Sequence, residues 1–429
     1  MSASGDKEPL KRELTLWGLW LLVLNGLIGA GIFGVPGKAA ALTGGYSPLL
    51  FVLCALLILP IILCHAELAS YFRGTGGPVR YADDAFGRFA GFQGGWLFYL
   101  GRVASYAANL NLIVDSAAYF YPAAAQGALR ISLLGLIAAG FTWVNVVGTG
   151  AAVRALSGLT AVKLFPLVLI ALGGIAYFDP FPAAVAPPPT ALELGEAALL
   201  VIYAYVGFEG ALVPAGEAKD PPRDMPRALF LGLGVATVLY VLIQGVSLGA
   251  VPDVAHSDSP LIDVGTAIFG GFGTWVLTAG VAISVGGNLL AAHLSSPRIT
   301  YALARDGTLP SFVGAVHPRY ATPYVSVIAY GALGFVLGAF GSFVLLAKIG
   351  VLVRLLLYIL GTAAIPLLRK RYGARPYSFV LPGGYLIPAI SVAVSVWLLF
   401  QVKWISWATT AAALAAGMVL YIVARLQKR

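Results

Sequence analysis

The chain has 429 residues, of which 59% are apolar and 10% are charged, whereas soluble proteins average about 45–50% and about 25%. Its formal net charge is +9. This composition excludes a disordered chain, a nucleic-acid-binding surface protein and an ordinary soluble enzyme, and it indicates a protein that crosses a membrane several times.

Twelve apolar runs follow one another along the chain, and most approach the roughly 20 residues that a helix needs to span a bilayer. The predicted spans are 15–42, 47–72, 89–114, 131–149, 156–178, 194–217, 227–250, 264–295, 323–341, 343–367, 386–402 and 404–425. The runs are continuously apolar and do not alternate, so they predict helices and not barrel strands. The predicted fold class is an all-α polytopic membrane protein with twelve transmembrane helices.

The basic residues indicate how these spans are oriented. Twenty of the 27 lysines and arginines lie at the two ends of the chain and in the even-numbered loops. Cytoplasmic loops of membrane proteins carry such an excess of positive charge. We therefore predict a multi-pass protein of the inner (plasma) membrane, with a cytoplasmic N-terminus (1–14) and a cytoplasmic C-terminus (426–429).

The first and sixth spans are interrupted by residues that break helices. Five glycines and a proline lie between residues 26 and 37, and two glycines and a proline lie between residues 207 and 214. These two spans open successive blocks of five helices, 15–178 and 194–367. Because five is odd, the blocks have opposite orientations in the membrane. Paired interruptions in such inverted repeats indicate the binding site of a transporter.

Several motifs, met in chain order, resemble those of the amino acid–polyamine–organocation (APC) superfamily. They include Gly-Ala-Gly-Ile-Phe at 29–33, Ala-Glu-Leu-Ala at 66–69, Gly-Phe-Glu at 207–209, Asp-Pro-Pro-Arg at 220–223 and Ala-Arg-Asp-Gly at 304–307. The resemblance covers about residues 15–370. It implies the LeuT-type fold, a 5+5 inverted repeat with broken helices 1 and 6, and it leaves helices 11 and 12 (386–425) outside the repeats. It also implies an amino acid substrate.

The first break is a candidate site for the substrate carboxylate. An interrupted helix exposes N–H groups that suit an anion and carbonyl groups that suit an ammonium. We expect Gly29, Ala30 and Gly31 to present N–H groups to the carboxylate, with Ile28 beside them. Close packing by small residues is the competing explanation of this stretch.

The second break is a candidate site for the substrate ammonium. Val206, Gly207 and Phe208 are expected to offer carbonyl groups from it. Tyr203 and Phe208 are candidates for an aromatic gate, and the resemblance aligns Tyr203 with a position where some relatives carry a gating tryptophan. Asn288, on a polar stripe of the eighth span, is the preferred further contact. Ordinary aromatic packing explains Tyr203 and Phe208 equally well.

Two charged residues inside the spans are candidates for coupling and gating, because charge in a bilayer is costly. The resemblance aligns Lys163 with a lysine that replaces a sodium ion in sodium-independent relatives and joins the fifth span to the broken first span. Glu209 is expected either to gate the site in a proton-sensitive way or to cap the broken helix. Arg102 and Arg354 also lie within spans. Small residues around the breaks permit a neutral substrate, and these arginines leave an acidic one open.

The predicted function is sodium-independent secondary transport of amino acids across the plasma membrane by alternating access, as a proton symporter or a substrate exchanger. Transport of polyamines or other organic amines, and a non-transporting amino acid sensor of the same fold, remain alternatives.

The expected partners are the amino acid substrate and the lipid bilayer. The sequence does not decide whether protons are transported as well. We predict neither an enzyme, a cofactor nor a metal site, since no nucleophile or metal-ligand constellation is apparent. No nucleic acid partner is expected. A disulfide-linked heavy chain is not expected either, since Cys54 and Cys64 share one apolar run. The oligomeric state is left as monomer or homodimer.

Overall fold

The computed structural model describes residues 14–72, 77–147, 150–179, 187–213, 218–373 and 378–427, without the side chains of 150–161 and Pro221. Several predictions fall outside these residues. They concern residues 1–13 of the cytoplasmic N-terminus, the last two residues of the C-terminus, the basic side chains Arg73, Arg154 and Arg375, and Pro214 of the sixth span.

The described residues form α-helices and short 3₁₀ turns, with one isolated bridge between Leu14 and Ala218. The helices are α1 (Leu16–Leu27), α2 (Ala30–Thr43), α3 (Ser47–Ser70), α4 (Gly77–Phe86), α5 (Arg88–Ala118), α6 (Gly127–Val147), α7 (Gly150–Gly173), α8 (Ala191–Tyr205), α9 (Glu209–Leu212), α10 (Pro221–Ala250), α11 (Pro260–Ser295), α12 (Pro297–Arg305), α13 (Tyr324–Phe340), α14 (Phe343–Tyr372), α15 (Leu386–Phe400) and α16 (Trp404–Leu426).

Many of these helices have the length and composition of membrane spans. Among the described residues, seven helical stretches are long and apolar enough to cross a bilayer, and four shorter helices are apolar as well. The protein is therefore an all-helical integral membrane protein. Each of the twelve predicted spans overlaps a helix, but the number of crossings and the inverted repeat stay predictions.

Two short helices, α4 and α12, were not expected from the apolar runs. Both are polar on average and carry their apolar residues on one face. Neither helix therefore contains the long apolar run that marks a membrane span. Both contribute residues to the site described below, so they extend the functional part of the chain beyond the predicted spans.

The described helices pack around two main apolar cores, and a small third cluster lies between α5 and α14. The larger core is built mainly from α1, α2, α3, α8, α10 and α14. The smaller one joins α5, α6, α11 and α13 through aromatic residues such as Tyr106 and Tyr330. The interruption between α1 and α2 and the one between α8 and α9 lie in the larger core, where they face α5 and α11 of the smaller core across a cavity.

Candidate functional site

The first interruption is a short extended segment between α1 and α2. Ile28 and Gly29 leave the helical region, with ψ of 92° at Ile28 and of −151° at Gly29. The first N–H groups of α2 have no preceding helical carbonyl to bond, as at any helix N-terminus. The chain therefore presents donors from Ala30 and Gly31 at the point where the sequence predicts a carboxylate site.

The second interruption separates α8 from the short helix α9. Val206 is extended, with φ −85° and ψ 160°. Gly207 has φ +113°, a conformation that side chains with a Cβ rarely adopt. The Gly207 N–H donates to Oε2 of Glu209 at 2.9 Å. Glu209 thus caps the break from within its own turn.

The two interruptions touch each other through glycine. A Cβ placed on Gly26 would overlap the carbonyl oxygen of Gly207, and a Cβ on Gly207 would overlap the carbonyl oxygen of Gly26. Gly31 packs in the same way on α8, since a Cβ there would lie 2.6 Å from Cα of Ala204. These glycines let two unwound backbones approach more closely than side chains would allow.

This contact predicts that Gly207→Ala and Gly26→Ala each impair folding and transport. Steric overlap typically costs about 1–3 kcal/mol, and Gly207→Ala adds backbone strain of about 1–3 kcal/mol. The measurement is the midpoint of thermal unfolding of the purified protein in detergent. Gly234→Ala in α10 is the matched control, because a Cβ there meets no atom within 4 Å. Equal midpoints for Gly207→Ala and Gly234→Ala would show that the contact is not needed.

Lys163 of α7 holds the end of α1. Its Nζ donates to the carbonyl oxygen of Asn25 at 2.9 Å, to Oδ1 of Asn25 at 2.5 Å and to the carbonyl oxygen of Ile28 at 2.7 Å. The lysine is 3% exposed. An ammonium carries three donors and no acceptor, so all three are used. The expected link between the fifth span and the broken first span is thus present, and Asn25 is a partner that the sequence did not indicate.

Tyr240 of α10 joins the two broken helices. Its hydroxyl lies 2.8 Å from the carbonyl oxygen of Leu27 and 3.1 Å from that of Ala204. These carbonyls belong to the last turns of α1 and α8, where no helical donor follows. A single buried hydroxyl therefore contacts the unsatisfied ends of both helices.

Glu209 is fully buried and paired. Its Oε1 accepts from Nε of Arg354 at 2.6 Å, and its Oε2 accepts from the Tyr358 hydroxyl at 3.1 Å as well as from the Gly207 N–H. Arg354 is 3% exposed and also donates to the carbonyl oxygens of Gly101 and Gly350. The pair connects the second break to α14 and α5, so the predicted capping role has a geometric counterpart.

A cavity of about 1190 Å³ lies beside both breaks. Seven of the predicted substrate contacts line it, namely Gly29, Ala30, Gly31, Tyr203, Val206, Gly207 and Asn288. Asn288 lies directly against the first break, since a Cβ on Gly29 would lie 2.8 Å from its Nδ2. Backbone donors, backbone carbonyls and a side-chain amide therefore converge on one space. Ile28, Phe208, Lys163 and Glu209 are not part of this wall.

Phe208 does not occupy the position expected of a gate. Its side chain has no exposed surface, and its ring lies against Tyr358 and His65, with centroids 5.5 and 6.0 Å apart. Phe208 directly follows Gly207, whose positive φ sets the direction in which the chain enters α9. Tyr203 does line the cavity, and its ring meets Phe343 of α14 edge-on at 5.8 Å.

The two ends of the cavity differ in polarity. One end, called the charged mouth, is lined by Arg80, Asp83, Arg88, Arg298 and Asp306. Four of these belong to α4, α5 and α12, and Asp306 follows α12 directly. Away from this mouth, Phe343 packs on Tyr203, and Lys38 forms an ion pair with Asp258 at 3.2 Å. The cavity thus reaches the breaks from the side that carries the predicted cytoplasmic loops.

Several residues of the site lack an evident sequence signal. Asn25 immediately precedes the glycine-rich stretch and could have been suspected from that position. Tyr240 and Phe343 are single aromatic residues in apolar helices, and nothing in their neighbourhood separates them from packing residues. Arg354 and Tyr358 stand four residues apart in the tenth span, but their partner Glu209 lies 145 and 149 residues before them in the chain.

The fold defines an integral membrane protein in which two interrupted helices lie beside a cavity. A family model for amino acid permeases matches residues 14–424, so the chain belongs to the amino acid permease family. The APC resemblance seen in the motifs is thereby confirmed.

Three relatives illustrate the similarity. The branched-chain amino acid permease BcaP of Bacillus subtilis is 26% identical, over 99% of this chain and 95% of its own. The serine/threonine exchanger SteT of the same organism is 28% identical, over 92% of each chain. The large neutral amino acids transporter small subunit 2 of Mus musculus is 27% identical, over 76% of this chain and 64% of its own.

Proposed function

We propose that this protein is a sodium-independent secondary transporter of amino acids that works by alternating access. The observation that carries the proposal is the contact of Lys163 with the end of α1. Its ammonium takes three oxygen acceptors, and a small cation would need such oxygen atoms. With the lysine in this place, no bound sodium is required to hold the unwound segment.

The substrate amino acid lies at the two breaks. Its carboxylate accepts from the N–H groups at the start of α2, which also carries the positive end of the helix dipole. Its ammonium donates to carbonyl groups of Val206 and Gly207, and Asn288 contacts it from α11. Backbone groups therefore bind what all amino acids share, and the side chains of the cavity select among them.

The first ten membrane spans form a 5+5 inverted repeat, with α1–α2 and α8–α9 as the broken members and both termini in the cytoplasm. In that orientation the charged mouth opens to the cytoplasm, and this conformation is the inward-facing one. Transport then requires that the helices carrying the two breaks move relative to α5 and α11, which line the same cavity. Substrate then reaches the breaks from alternate sides.

The two alternative functions, polyamine transport and amino acid sensing, predict different properties. A polyamine transporter would need negative charge along its cavity. Arg354 is neutralised by Glu209, and the other charged residues that line the cavity are four arginines and two aspartates, namely Arg80, Arg88, Arg102, Arg298, Asp83 and Asp306. A non-transporting sensor would bind an amino acid without moving it. The name of the serine/threonine exchanger supports exchange as the mode of transport, and proton symport is the competing mode.

The test is uptake of radiolabelled amino acids by the purified protein in liposomes without sodium. We expect counterflow when the vesicles contain unlabelled substrate, with no increase on addition of sodium. Uptake that requires internal substrate indicates exchange, whereas concentrative uptake driven by an inward proton gradient into empty vesicles indicates symport. Stabilisation by an amino acid in a thermal-shift assay without counterflow or uptake would indicate the sensor, and a sodium requirement would contradict the role given to Lys163.

A further inference from the structure

Two arginines next to the cavity are compensated in different ways. The guanidinium of Arg354 faces the carboxylate of Glu209 at 2.6 Å and is almost fully buried. The guanidinium of Arg102 donates only to hydroxyls, at 3.1 Å to Ser296 Oγ and at 2.9 Å to Ser295 Oγ. Within the described part of the chain, no carboxylate lies within 4.0 Å of Arg102. Its charge is therefore solvated by neutral groups alone.

Arg102 faces the space where the substrate binds. It lines the cavity on α5 together with Ser105 and Asn109, which lie on the same face of that helix. It is half-buried, so its charge is partly withdrawn from water but still accessible from the cavity. Arginine presents planar donors that match a carboxylate or phosphate in a bidentate way.

The position of Arg102 suits the far end of a substrate bound at the breaks. Its partner Ser295 lies seven residues beyond Asn288 on α11, which is about 10 Å along the helix at 1.5 Å per residue. Asn288 marks the level of the first break. A short extended side chain and a flexible arginine together cover such a distance. Arg102 therefore lies between the breaks and the charged mouth.

The other charged side chains along this path sum to a positive net charge. Arg80, Arg88 and Arg298 line the charged mouth against Asp83 and Asp306. Walls of low dielectric constant focus the field of such an excess and raise the local concentration of ligands of opposite charge. The cavity therefore attracts a ligand that carries net negative charge.

We propose that the substrate carries a second anionic group, as an acidic amino acid does, and that the guanidinium of Arg102 recognises this group. This inference rests on the proposed transport of amino acids and narrows it to a substrate class. The backbone at the two breaks holds the α-carboxylate and α-ammonium, and Arg102 holds the side-chain carboxylate. Arg354 stays with Glu209 and does not contact the substrate.

The experiment compares pairs of amino acids that differ in charge and hardly in shape. Counterflow of labelled L-glutamate into liposomes is measured in competition with unlabelled L-glutamate, L-glutamine, L-aspartate and L-asparagine. For the wild type we expect the acidic member of each pair to compete at least about tenfold better, as a charge-assisted contact predicts. For Arg102→Gln we expect the preference for glutamate over glutamine to disappear, and for Arg102→Lys we expect part of it to remain.

Arg425→Gln is the matched control, because it removes an arginine that donates to the Tyr421 hydroxyl in α16 and does not line the cavity. We expect it to keep the acidic preference. If Arg102→Gln does not fold, the wild-type competition alone decides, together with thermal-shift titrations of glutamate against glutamine. A wild-type preference for the neutral amides, or an unchanged ratio in Arg102→Gln, would overturn the proposal. Transport of neutral amino acids only would refute this inference and leave the proposed function intact, whereas absence of all amino acid transport would refute the function itself.

Discussion

Replacement of Lys163 by alanine is expected to reduce transport by more than about tenfold, with a smaller effect on the yield of folded protein. The change removes the donor for two backbone carbonyls and one side-chain oxygen at the end of α1. Hydrogen bonds to charged groups contribute about 1.5–3 kcal/mol each, and 1.4 kcal/mol corresponds to a factor of ten. The unwound segment that binds the substrate therefore loses its anchor on α7.

The measurement is the initial rate of counterflow, normalised to the amount of reconstituted protein that elutes as a single species. Lys403→Ala is a suitable control, because Lys403 forms an ion pair with Glu196 at 2.9 Å but is largely exposed. Exposed ion pairs contribute about 0–1 kcal/mol, so transport should be retained. Unchanged uptake kinetics in Lys163→Ala would remove this lysine from the mechanism.

Breaking the pair between Glu209 and Arg354 is expected to have the largest effect on stability. Arg354→Ala leaves a fully buried carboxylate without its main partner, and removing one member of a buried ion pair costs about 3–5 kcal/mol. The carboxylate also accepts the Gly207 N–H, so the second break should lose its shape and transport should fail. The midpoint of thermal unfolding and the rate of counterflow measure the two effects.

A double-mutant cycle separates the pair from its surroundings. If the two side chains act together, Glu209→Gln combined with Arg354→Gln should destabilise the protein by less than the sum of the single changes. Arg371→Ala provides the comparison, because its ion pair with Asp84, at 3.7 Å, is half-exposed. A loss in Arg354→Ala no larger than that in Arg371→Ala would contradict the predicted coupling.

The all-helical membrane class and the approximate positions of the helices could be predicted because they depend on local composition. A run of apolar residues lowers the free energy of a helix in a bilayer, and glycine and proline raise the free energy of a continuous helix. The break at Ile28 and Gly29 and the one at Val206 and Gly207 therefore lie within the stretches that the sequence singled out. The short helices α4 and α12 were missed because one polar face hides their apolar residues.

The roles of individual site residues were less predictable. Phe208 and Tyr203 look alike as aromatic residues near a break, yet only Tyr203 lines the cavity. Gly207, with φ +113°, lies between the two residues, and a sequence pattern does not predict where a side chain points after a positive φ. Arg102 and Arg354 are equally embedded arginines in the sequence, but one faces a carboxylate and the other faces two hydroxyls.

The charged residues likewise divide into features that local sequence indicates and pairings that the tertiary structure decides. The sequence by itself indicated a membrane protein and the stretches in which its helices break, because both follow from neighbours along the chain, and the side on which its basic residues concentrate stays a prediction. Only the tertiary structure decided which carboxylate neutralises Arg354, which carbonyls hold Lys163 and which hydroxyls, in place of a carboxylate, contact Arg102. Those pairings join residues more than 100 positions apart. The packing of the helices determines these partners, and the neighbouring residues in the sequence do not predict that packing.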